Sequence, residues 1–335
     1  MEGLILPEGY KAHLSQKETQ KAIKITKDTF QTRLATALNL DRVTAPVVVA
    51  ADSGINDDLS GVERKVTFDM LNIEGTAEIV QSLAKWKRMA LYRYGYLEGE
   101  GIYTDMTAIR RDERGDSIHS IYVDQWDWER VVNKDERNMI FLKKVVTQIV
   151  EALAYTKKVV NKAFPALKRE INTDVCFITT QELEDMYPDL TPKERENKIT
   201  KERGTVFLMQ IGDILASGER HDSRAPDYDD WTLNGDILIW DEVLNIALEV
   251  SSMGIRVDAE TLLSQLEKCD AMDRLKFQYH KGIMDGTLPL TIGGGIGQSR
   301  ICMLLLEKAH IGEVQVALWP QEMIDICKDH NIILL

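Results

Sequence analysis

Two strands joined by a short loop near residue 110 constrain the fold more than any other feature of the sequence. One strand is predicted from Ile102 to Ile109 and the other from Ile118 to Val131, on either side of the loop Arg110 to Ser117. Strands joined by such a short loop pair antiparallel, because parallel neighbours need a crossover of about a dozen residues or more. Other predicted strands are also joined by hairpin-like loops, and a regular alternation of strand and helix is absent. The sequence therefore predicts an α+β fold with a mostly antiparallel sheet flanked by helices, and ranks a doubly wound parallel sheet second.

A long helix precedes this region. Ser15 and Glu18 form a capping box, and apolar residues recur at helical spacing up to about Leu40. A β-rich run from Val43 to Ala50 follows, and Pro46 predicts an edge or interface position because proline cannot donate to a β-ladder. Further helices are predicted over residues 84–94, from residue 133 to about 164, and from residue 191 to about 204.

Composition and charge narrow the class of protein. The 335 residues are 44% hydrophobic and 28% charged, which is typical of a globular chain. Lysine and arginine number 41 against 54 aspartates and glutamates, and the net charge of −13 argues against a nucleic-acid partner. No apolar run reaches the ~18 residues of a membrane span, and Met1–Leu4 lacks the pattern of a signal peptide. With four cysteines that form no Cys-x-x-Cys pair, we expect a reduced, cytoplasmic, acidic protein of the size of an enzyme.

The segment Ser120–Glu129 is unusually dense in polar and aromatic residues. On a strand, Gln125, Asp127 and Glu129 share one face, and the tryptophans between them share the other. Amide and carboxylate oxygens accept hydrogen bonds from an ammonium group, so this face could bind an amine. An ordinary amphipathic strand with a solvated acidic face is the simpler interpretation of the alternation alone.

Two groups of cations are candidates for binding an anion. Ser82 precedes a short basic helix that contains Lys85, Lys87 and Arg88. These cations could bind a carboxylate or a phosphate, although a charge run is more simply interpreted as a solvated helix face. Arg110 lies between two strands, where its planar guanidinium could bind phosphate oxygens, and a salt bridge within a tight turn explains it equally well.

Acidic residues supply the candidates for a metal site. The loop His221–Trp231 is dense in carboxylates, which suits Mg²⁺ or an amine but is also common in acidic proteins. Asp236 and Glu249 lie on two neighbouring predicted strands and could share a Mg²⁺ that bridges nucleotide phosphates. The alternative is a pair of surface acids.

A glycine-rich segment, Thr291–Arg300, runs directly into an apolar helix near the end of the chain. Its glycines allow the close approach of a flat or charged ligand, and Arg300 lies in the first turn of the helix. The spacing matches neither the dinucleotide-binding pattern nor the P-loop pattern. A plain glycine-rich turn before a core helix is the alternative to a binding role.

Taken together, these segments resemble the catalytic core of a class II aminoacyl-tRNA synthetase. The long helix and the strand with Pro46 resemble motif 1, the hairpin with Arg110 resembles motif 2, and the glycine-rich segment with Arg300 resembles motif 3. Within that superfamily the sequence is most similar to the ammonia-dependent (type A) asparagine synthetase family. The similarity rests on segments 56–61, 82–88, 122–129, 224–231, 233–236, 251–258 and 291–300.

The resemblance implies a reaction and an assembly. It implies a homodimer of single catalytic domains, residues 1–335, that makes asparagine from aspartate, ATP and ammonia and releases AMP and pyrophosphate through a β-aspartyl-adenylate. Arg110 resembles the arginine on the α-phosphate, and Arg300 resembles the arginine on the terminal phosphate. His119 is a further candidate for a phosphate contact. Asp236 and Glu249 are the implied Mg²⁺ ligands.

The resemblance also implies how aspartate binds. Lys87 and Arg256 resemble the residues that bind its carboxylate. Ser82, Gln125 and Asp127 resemble the residues around its amino end.

The resemblance also implies roles for two further acidic residues. Asp57 matches an active-site aspartate that positions ammonia, and Asp229 lines the site. The stretch Asn56-Asp57-Asp58 replaces the Gln-Asp-Asn expected there, but the matched aspartate is retained. A terminal cysteine nucleophile for glutamine hydrolysis is absent, since residue 2 is Glu2, so we expect free ammonia to be the nitrogen donor.

Two alternatives belong to other functional classes. One is an aspartyl- or asparaginyl-tRNA synthetase. The match begins near residue 15, which leaves no room for an anticodon-binding barrel and argues against this alternative. The other is a non-catalytic regulatory paralogue of the same fold, which should have lost phosphate-binding arginines, whereas Arg110 and Arg300 are both present.

Overall fold

Two β-sheets organise the chain, and the hairpin predicted near residue 110 lies within the larger one. The computed structural model describes residues 3–57, 59 and 63–335. The strands in these residues are β1 (Leu40–Arg42), β2 (Val48–Ala50), β3 (Thr67–Met70), β4 (Ile73–Ile79), β5 (Gly101–Ile109), β6 (Tyr122–Val131), β7 (Cys176–Thr179), β8 (Thr205–Met209), β9 (Asp229–Asp241), β10 (Ile246–Arg256) and β11 (Thr291–Gly297). The helices are α1 (Gln16–Leu38), α2 (Ala84–Tyr94), α3 (Met139–Ala163), α4 (Thr180–Met186), α5 (Pro192–Arg203), α6 (Ala259–Lys268), α7 (Gln278–Met284), α8 (Gln298–Leu305) and α9 (Gln321–Asp329).

The larger sheet is antiparallel through its centre. Its eight strands run in the order β1-β5-β6-β11-β10-β9-β8-β7, and the smaller sheet has the order β2-β4-β3. Only the outermost pairs of the larger sheet, β1 with β5 and β7 with β8, are parallel. The five pairs between them are antiparallel. The predicted α+β fold with a mostly antiparallel sheet flanked by helices is therefore confirmed.

Helix boundaries follow the capping residues that the sequence contains. In α1, the Ser15 hydroxyl accepts from the Glu18 amide, the Glu18 carboxylate accepts from the Ser15 amide, and Asn39 ends the helix in a left-handed conformation. In α5, Thr191 and Glu194 form the same reciprocal cap. Because each cap satisfies amides that the first turn leaves unpaired, these predictions of helix starts are confirmed.

Two predicted boundaries are wrong. The strand predicted over residues 43–50 is formed only by β2, and the chain before Pro46 instead extends the pairing of β1, with the Val43 amide donating to the Tyr103 carbonyl over 2.9 Å. The long helix predicted from residue 133 begins at Met139. Asn133 does form a capping box, but it caps a short 3-10 turn, and Asn138 caps α3.

The main core lies between the larger sheet and the helix pair α1 and α3. Trp126 and Trp128 of β6 are fully buried in it, and the Phe30 and Trp126 ring centroids lie 4.7 Å apart. Since side chains alternate along a strand, the polar residues of β6 face the opposite side of the sheet. This core therefore fixes the strand whose other face carries the candidate site.

Candidate active site

A cavity of about 480 Å³ opens over β6, β10 and β11. Its walls include side chains of these strands together with the residues before and within α2, the loop after β5 and the loop before β9. The predicted site residues that line it are Asp57, Ser82, Lys87, Arg110, His119, Gln125, Asp127, Asp229, Glu249, Arg256 and Arg300. The remaining predicted residue, Asp236, lies behind this wall and contacts the lining residue Arg224. Positions from separate parts of the sequence thus meet in one place.

The glycines of β11 make room for side chains of the neighbouring strands. A Cβ at Gly293 would overlap the Glu129 carboxylate, and a Cβ at Gly295 would overlap the Gln125 amide. In the pairing of β11 with β6, Gly293 lies opposite Glu129 and Gly295 lies opposite Asp127. The glycine run therefore lets polar side chains of the neighbouring strand lie across the sheet at the base of the site.

Two cations and three carboxylates form a buried cluster at this base. Lys87 is ion-paired with Asp127, and its Nζ donates to the Gly294 carbonyl over 3.1 Å. Arg256 donates to Glu129 over 2.7 Å from Nη2 and 3.0 Å from Nε, and its Nη1 is ion-paired with Asp229. A cluster of this kind presents fixed donors and acceptors to a zwitterionic amino acid.

Burial and ion pairing shift the pKa values of the carboxylates in this cluster in opposite directions. Burial raises the pKa of Asp127 and of Asp229 above the usual range, although Lys87 and Arg256 respectively act to lower them. Burial also acts to raise the pKa of Glu129, but Arg256 outweighs it and holds that pKa below its usual value. Glu129 is thus the carboxylate most firmly held in its charged form.

The three cations in the first half of α2 are buried, so the solvated-face interpretation is wrong. Lys85, Lys87 and Arg88 are each at most 3% exposed. The Lys85 ammonium pairs with Asp227 over 3.0 Å, and the Arg88 Nη1 donates to the Val257 carbonyl over 2.8 Å. The helix therefore carries these three cations inward, where carboxylates from distant parts of the chain pair with the two lysines and backbone carbonyls accept from the arginine.

The phosphate-binding candidates lie at another part of the cavity wall. Within the described part of the chain, the Arg110 guanidinium makes no hydrogen bond or ion pair, and its Nε is buried without a partner. Arg300 donates from Nη1 to the Glu249 carbonyl over 3.0 Å. His119 contacts Asp116 through Nδ1 over 2.8 Å. Arg110 is thus a cation whose hydrogen-bonding capacity remains available to an anion.

Asp236 and Glu249 lie on the paired strands β9 and β10. Burial raises the pKa of Asp236 to about 7, and the charge of Glu249 adds to this effect while Arg224 opposes it. In the residues that the structure covers, no group of three or more metal-ligating side chains forms a complete cage. Carboxylates on two paired strands nevertheless fit Mg²⁺, which proteins commonly hold with one or two carboxylates together with substrate phosphates.

Asp57 lies at the cavity wall in a loop held by its neighbour. The side-chain oxygen Oδ1 of Asn56 accepts from the backbone amide of Asp57 over 3.0 Å and from the backbone amide of Gln81 over 2.8 Å, while its Nδ2 donates to the Glu78 carboxylate. Asn56, where the family pattern predicted glutamine, therefore fixes the backbone that carries Asp57. The adjacent Asp58 lies outside the described residues, as do 60–62.

Three functional candidates were not predicted from the sequence. Glu129 was placed on the correct face of its strand but was not assigned a role, although it pairs with Arg256. Arg224 pairs with Asp222 over 2.6 Å and with Asp236. Gln315 lines the cavity from the chain's C-terminal region, and no local pattern in the sequence points to it.

The fold of the chain is similar to that of class II aminoacyl-tRNA synthetases. The asparaginyl-tRNA synthetase of Pyrococcus horikoshii, complexed with asparaginyl-adenylate, matches with a TM-score of 0.64 and 16% identity over 90% of this chain and 70% of that one. The asparaginyl-tRNA synthetase of Entamoeba histolytica, also with asparaginyl-adenylate, matches with a TM-score of 0.60 and 14% identity over 89% of this chain and 66% of that one. These similarities concern the fold alone.

Sequence comparison identifies the family. The aspartate-ammonia ligase family profile matches residues 17–331. The aspartate–ammonia ligase of Clostridium tetani is 58% identical over 100% of this chain and 98% of its own length. That of Ruminiclostridium cellulolyticum is 56% identical over the full length of both chains. The chain belongs to the aspartate-ammonia ligase family.

Proposed function

We propose that the chain makes L-asparagine from L-aspartate and ammonia, using ATP and releasing AMP and pyrophosphate through a β-aspartyl-adenylate. One observation carries this proposal beyond family membership. The same cavity holds a buried cluster suited to an amino acid and the guanidinium of Arg110, which pairs with none of the described residues and is suited to a phosphate. An adenylate-forming enzyme must bring these two ligands together.

Aspartate binds at the buried cluster. Lys87 and Arg256 bind its α-carboxylate, and Asp127, Gln125 and Ser82 bind its ammonium group. Because Lys87 and Arg256 are already neutralised by carboxylates, the incoming zwitterion exchanges ion pairs without adding net charge to the buried site. Its side-chain carboxylate is left free to react.

The first chemical step joins that carboxylate to ATP. A carboxylate oxygen attacks the α-phosphorus, the bond to the β-phosphate breaks, and pyrophosphate leaves. Arg110 binds the α-phosphate where charge develops, Arg300 binds the terminal phosphate, and His119 adds a phosphate contact. Asp236 and Glu249 would hold a Mg²⁺, which neutralises phosphate charge when bound.

The second step transfers nitrogen. Ammonia attacks the β-carbonyl carbon of the adenylate, AMP leaves with the carboxylate oxygen that had joined the phosphorus, and a proton must be removed from nitrogen. Asp57, which is 2% exposed at the cavity wall, binds ammonium and accepts that proton, with Asp229 as a second lining acid. Only unprotonated ammonia has the lone pair that the attack requires.

The proposal includes how the chain is organised and where it works. The larger sheet is continuous from β1 to β7, which supports one catalytic domain. Tyr94, which is 50% exposed, lines a depression beside β1, and Leu97, three residues further on, is 68% exposed; these exposed apolar side chains support a homodimer interface there. No described helix is long and apolar enough to cross a membrane. We place the enzyme in the cytoplasm. The dimer is tested separately by light scattering, where a monomer mass in solution would contradict it.

An assay of the purified chain tests the reaction. Aspartate, ATP and Mg²⁺ are supplied with ammonium, with glutamine, or with tRNA, and both the amino-acid product and the nucleotide are identified. We expect asparagine and AMP with ammonium and little product with glutamine. ADP as product would contradict the adenylate, and aminoacylated tRNA would indicate a synthetase instead. Arg110→Ala should nearly abolish AMP formation, whereas the exposed neighbour Arg111, which does not line the cavity, serves as the matched alanine control.

A further inference from the structure

Asp227 lies behind the cavity wall, in the loop before β9, and its side chain is fully buried. Its Oδ2 forms ion pairs with Lys85 over 3.0 Å and with Arg274 over 2.8 Å, and it contacts Nε2 of His280 over 3.0 Å. None of these four residues lines the cavity. The proposed reaction therefore gives them no direct contact with a substrate.

The charge of Asp227 is held by its neighbours. Burial acts to raise the pKa of Asp227, but Lys85, His280 and Arg274 outweigh it and hold that pKa below the usual range. Asp227 thus keeps its charge although it is buried. A buried charge of this kind holds its partners in place, because their separation would leave it uncompensated.

The helix α2 carries Lys85 and Lys87 on different sides, since each residue advances about 100° around a helix axis. Lys87 reaches the ion cluster at the base of the cavity, whereas Lys85 reaches Asp227 behind the wall. Arg88 lies three residues after Lys85, on the same side of the helix, and donates to the carbonyl of Val257, the residue after β10. This side of α2 therefore attaches the helix to the segments behind the cavity.

The loop that carries Asp227 leads directly into the same ion cluster. Asp229, two residues further on, is the first residue of β9 and pairs with Arg256. Lys87 likewise lies two residues after Lys85 on α2. The ion pair between Lys85 and Asp227 thus connects two segments, and each segment supplies one member of the cluster.

We propose that the ion pair of Lys85 with Asp227 positions the aspartate site: it fixes α2 against the loop before β9 and so sets the affinity for aspartate. Neither residue touches the substrate, and both are positioning residues. Groups that are already in place when the zwitterion arrives need no ordering on binding, which strengthens that binding. The inference rests on the proposed use of aspartate. Arg110, the candidate for the α-phosphate, lies on another segment, so ATP binding is independent of this pair.

Lys85→Met tests the inference, because methionine keeps an unbranched side chain of similar length but removes the ammonium group. Arg274 and His280 still contact Asp227 in this variant, so the charge of Asp227 stays compensated. Kinetic constants are measured from initial rates of asparagine formation at saturating ammonium. We expect the KM for aspartate to rise at least about tenfold, with kcat and the KM for ATP each within about threefold of the unaltered chain.

Lys157→Met on α3 is the matched control. Lys157 and Lys85 are each at most 3% exposed, and Lys157 pairs with Glu307 over 2.9 Å, away from the cavity. This control should lower the melting temperature as Lys85→Met does, but it should leave the KM for aspartate within about twofold of the unaltered chain. An ion pair with a structural role alone would make Lys85→Met behave in the same way.

A double variant separates positioning from folding. Lys85→Met combined with Asp227→Asn removes both charges, so neither stays buried without the other. Its KM for aspartate should also rise at least about tenfold, but no further than in the more severe single variant, because each single change already breaks the same connection. This measurement keeps the inference testable even where a single variant does not fold.

Three results would overturn the inference while leaving the proposed reaction intact. The first is a KM for aspartate that is as low in Lys85→Met, or in the double variant, as in the Lys157→Met control. The second is a KM for ATP that rises as much as that for aspartate. The third is a double variant whose KM for aspartate rises by the product of the two single effects. Failure of the proposed function itself is distinguishable, because the unaltered chain would then form no asparagine.

Discussion

Glu129→Gln tests the idea that a buried ion network organises the aspartate site. The Glu129 carboxylate is fully buried and accepts hydrogen bonds from Arg256 and, over 2.7 Å, from the Thr291 hydroxyl. Glutamine keeps the size of the side chain but removes its charge, and its amide can place a donor against the guanidinium. The substitution therefore leaves Arg256 with Asp229 as its remaining carboxylate partner among the described residues.

Removing one partner of a buried ion pair costs about 3–5 kcal/mol, because the other charge stays buried and uncompensated. Since Asp229 still contacts Arg256, we expect a loss of about 3 kcal/mol in the free energy of unfolding at pH 7, near the lower end of that range. Urea unfolding followed by tryptophan fluorescence measures it, since Trp126 and Trp128 are buried on the same strand. The KM for aspartate should also rise, because Arg256 is no longer held in place.

The pH dependence of the free energy of unfolding tests independently whether the Glu129 charge stabilises the folded chain. The pKa of Glu129 is held below its usual value in the folded chain, so its contribution to stability is present at neutral pH and is lost as the pH falls below the ordinary glutamate range. The stability difference between Glu129→Gln and the unaltered chain should therefore shrink below about pH 4. The exposed Glu267 on α6 provides the matched glutamine control, expected within about 0.5 kcal/mol of the unaltered chain. A Glu129→Gln protein as stable as that control would refute the reasoning.

Three further substitutions test separate parts of the site. Arg110→Ala should lower kcat for AMP formation by about 10²–10³-fold with little change in melting temperature, because the side chain makes no bond within the described residues; unfolding at a lower temperature would contradict this. Gly295→Ala should destabilise the chain by about 1–3 kcal/mol in urea and raise the KM for aspartate, because the new Cβ displaces Gln125; unchanged values would exclude the close packing at β11. Asp236→Asn should raise the Mg²⁺ concentration needed for half-maximal activity at least about tenfold, and an unchanged requirement would remove Asp236 from the metal site.

The features predicted from the sequence are those that local physics determines. The capping box of Ser15 and Glu18 defines the beginning of α1 because both partners lie within one helical turn. The alternation along β6 correctly separated Trp126 from Asp127, since side-chain direction on a strand has a period of two. Short loops between strands likewise predicted the antiparallel pairing that dominates the sheet.

The features that were missed depend on partners far apart in the chain. The basic helix α2 has the composition of a solvated face, and it is buried because Asp227 and Asp127 neutralise Lys85 and Lys87 from distant segments. The local sequence of a helix does not show which distant segments will pack against it, so its composition favoured the wrong interpretation. Gln315 was overlooked for the same reason, because its contacts with β6 and α8 exist only once the chain has folded.

The central claim is that the side-chain carboxylate of aspartate attacks the α-phosphorus of ATP. The most direct measurement uses aspartate labelled with ¹⁸O in both side-chain carboxylate oxygens, with ATP, ammonium and the purified chain, and mass spectrometry of the nucleotide product. Since the oxygen that joins phosphorus leaves with it, the account predicts AMP that carries one ¹⁸O for each asparagine formed. Asparagine formed together with unlabelled AMP, or with ADP and labelled inorganic phosphate, would contradict the account.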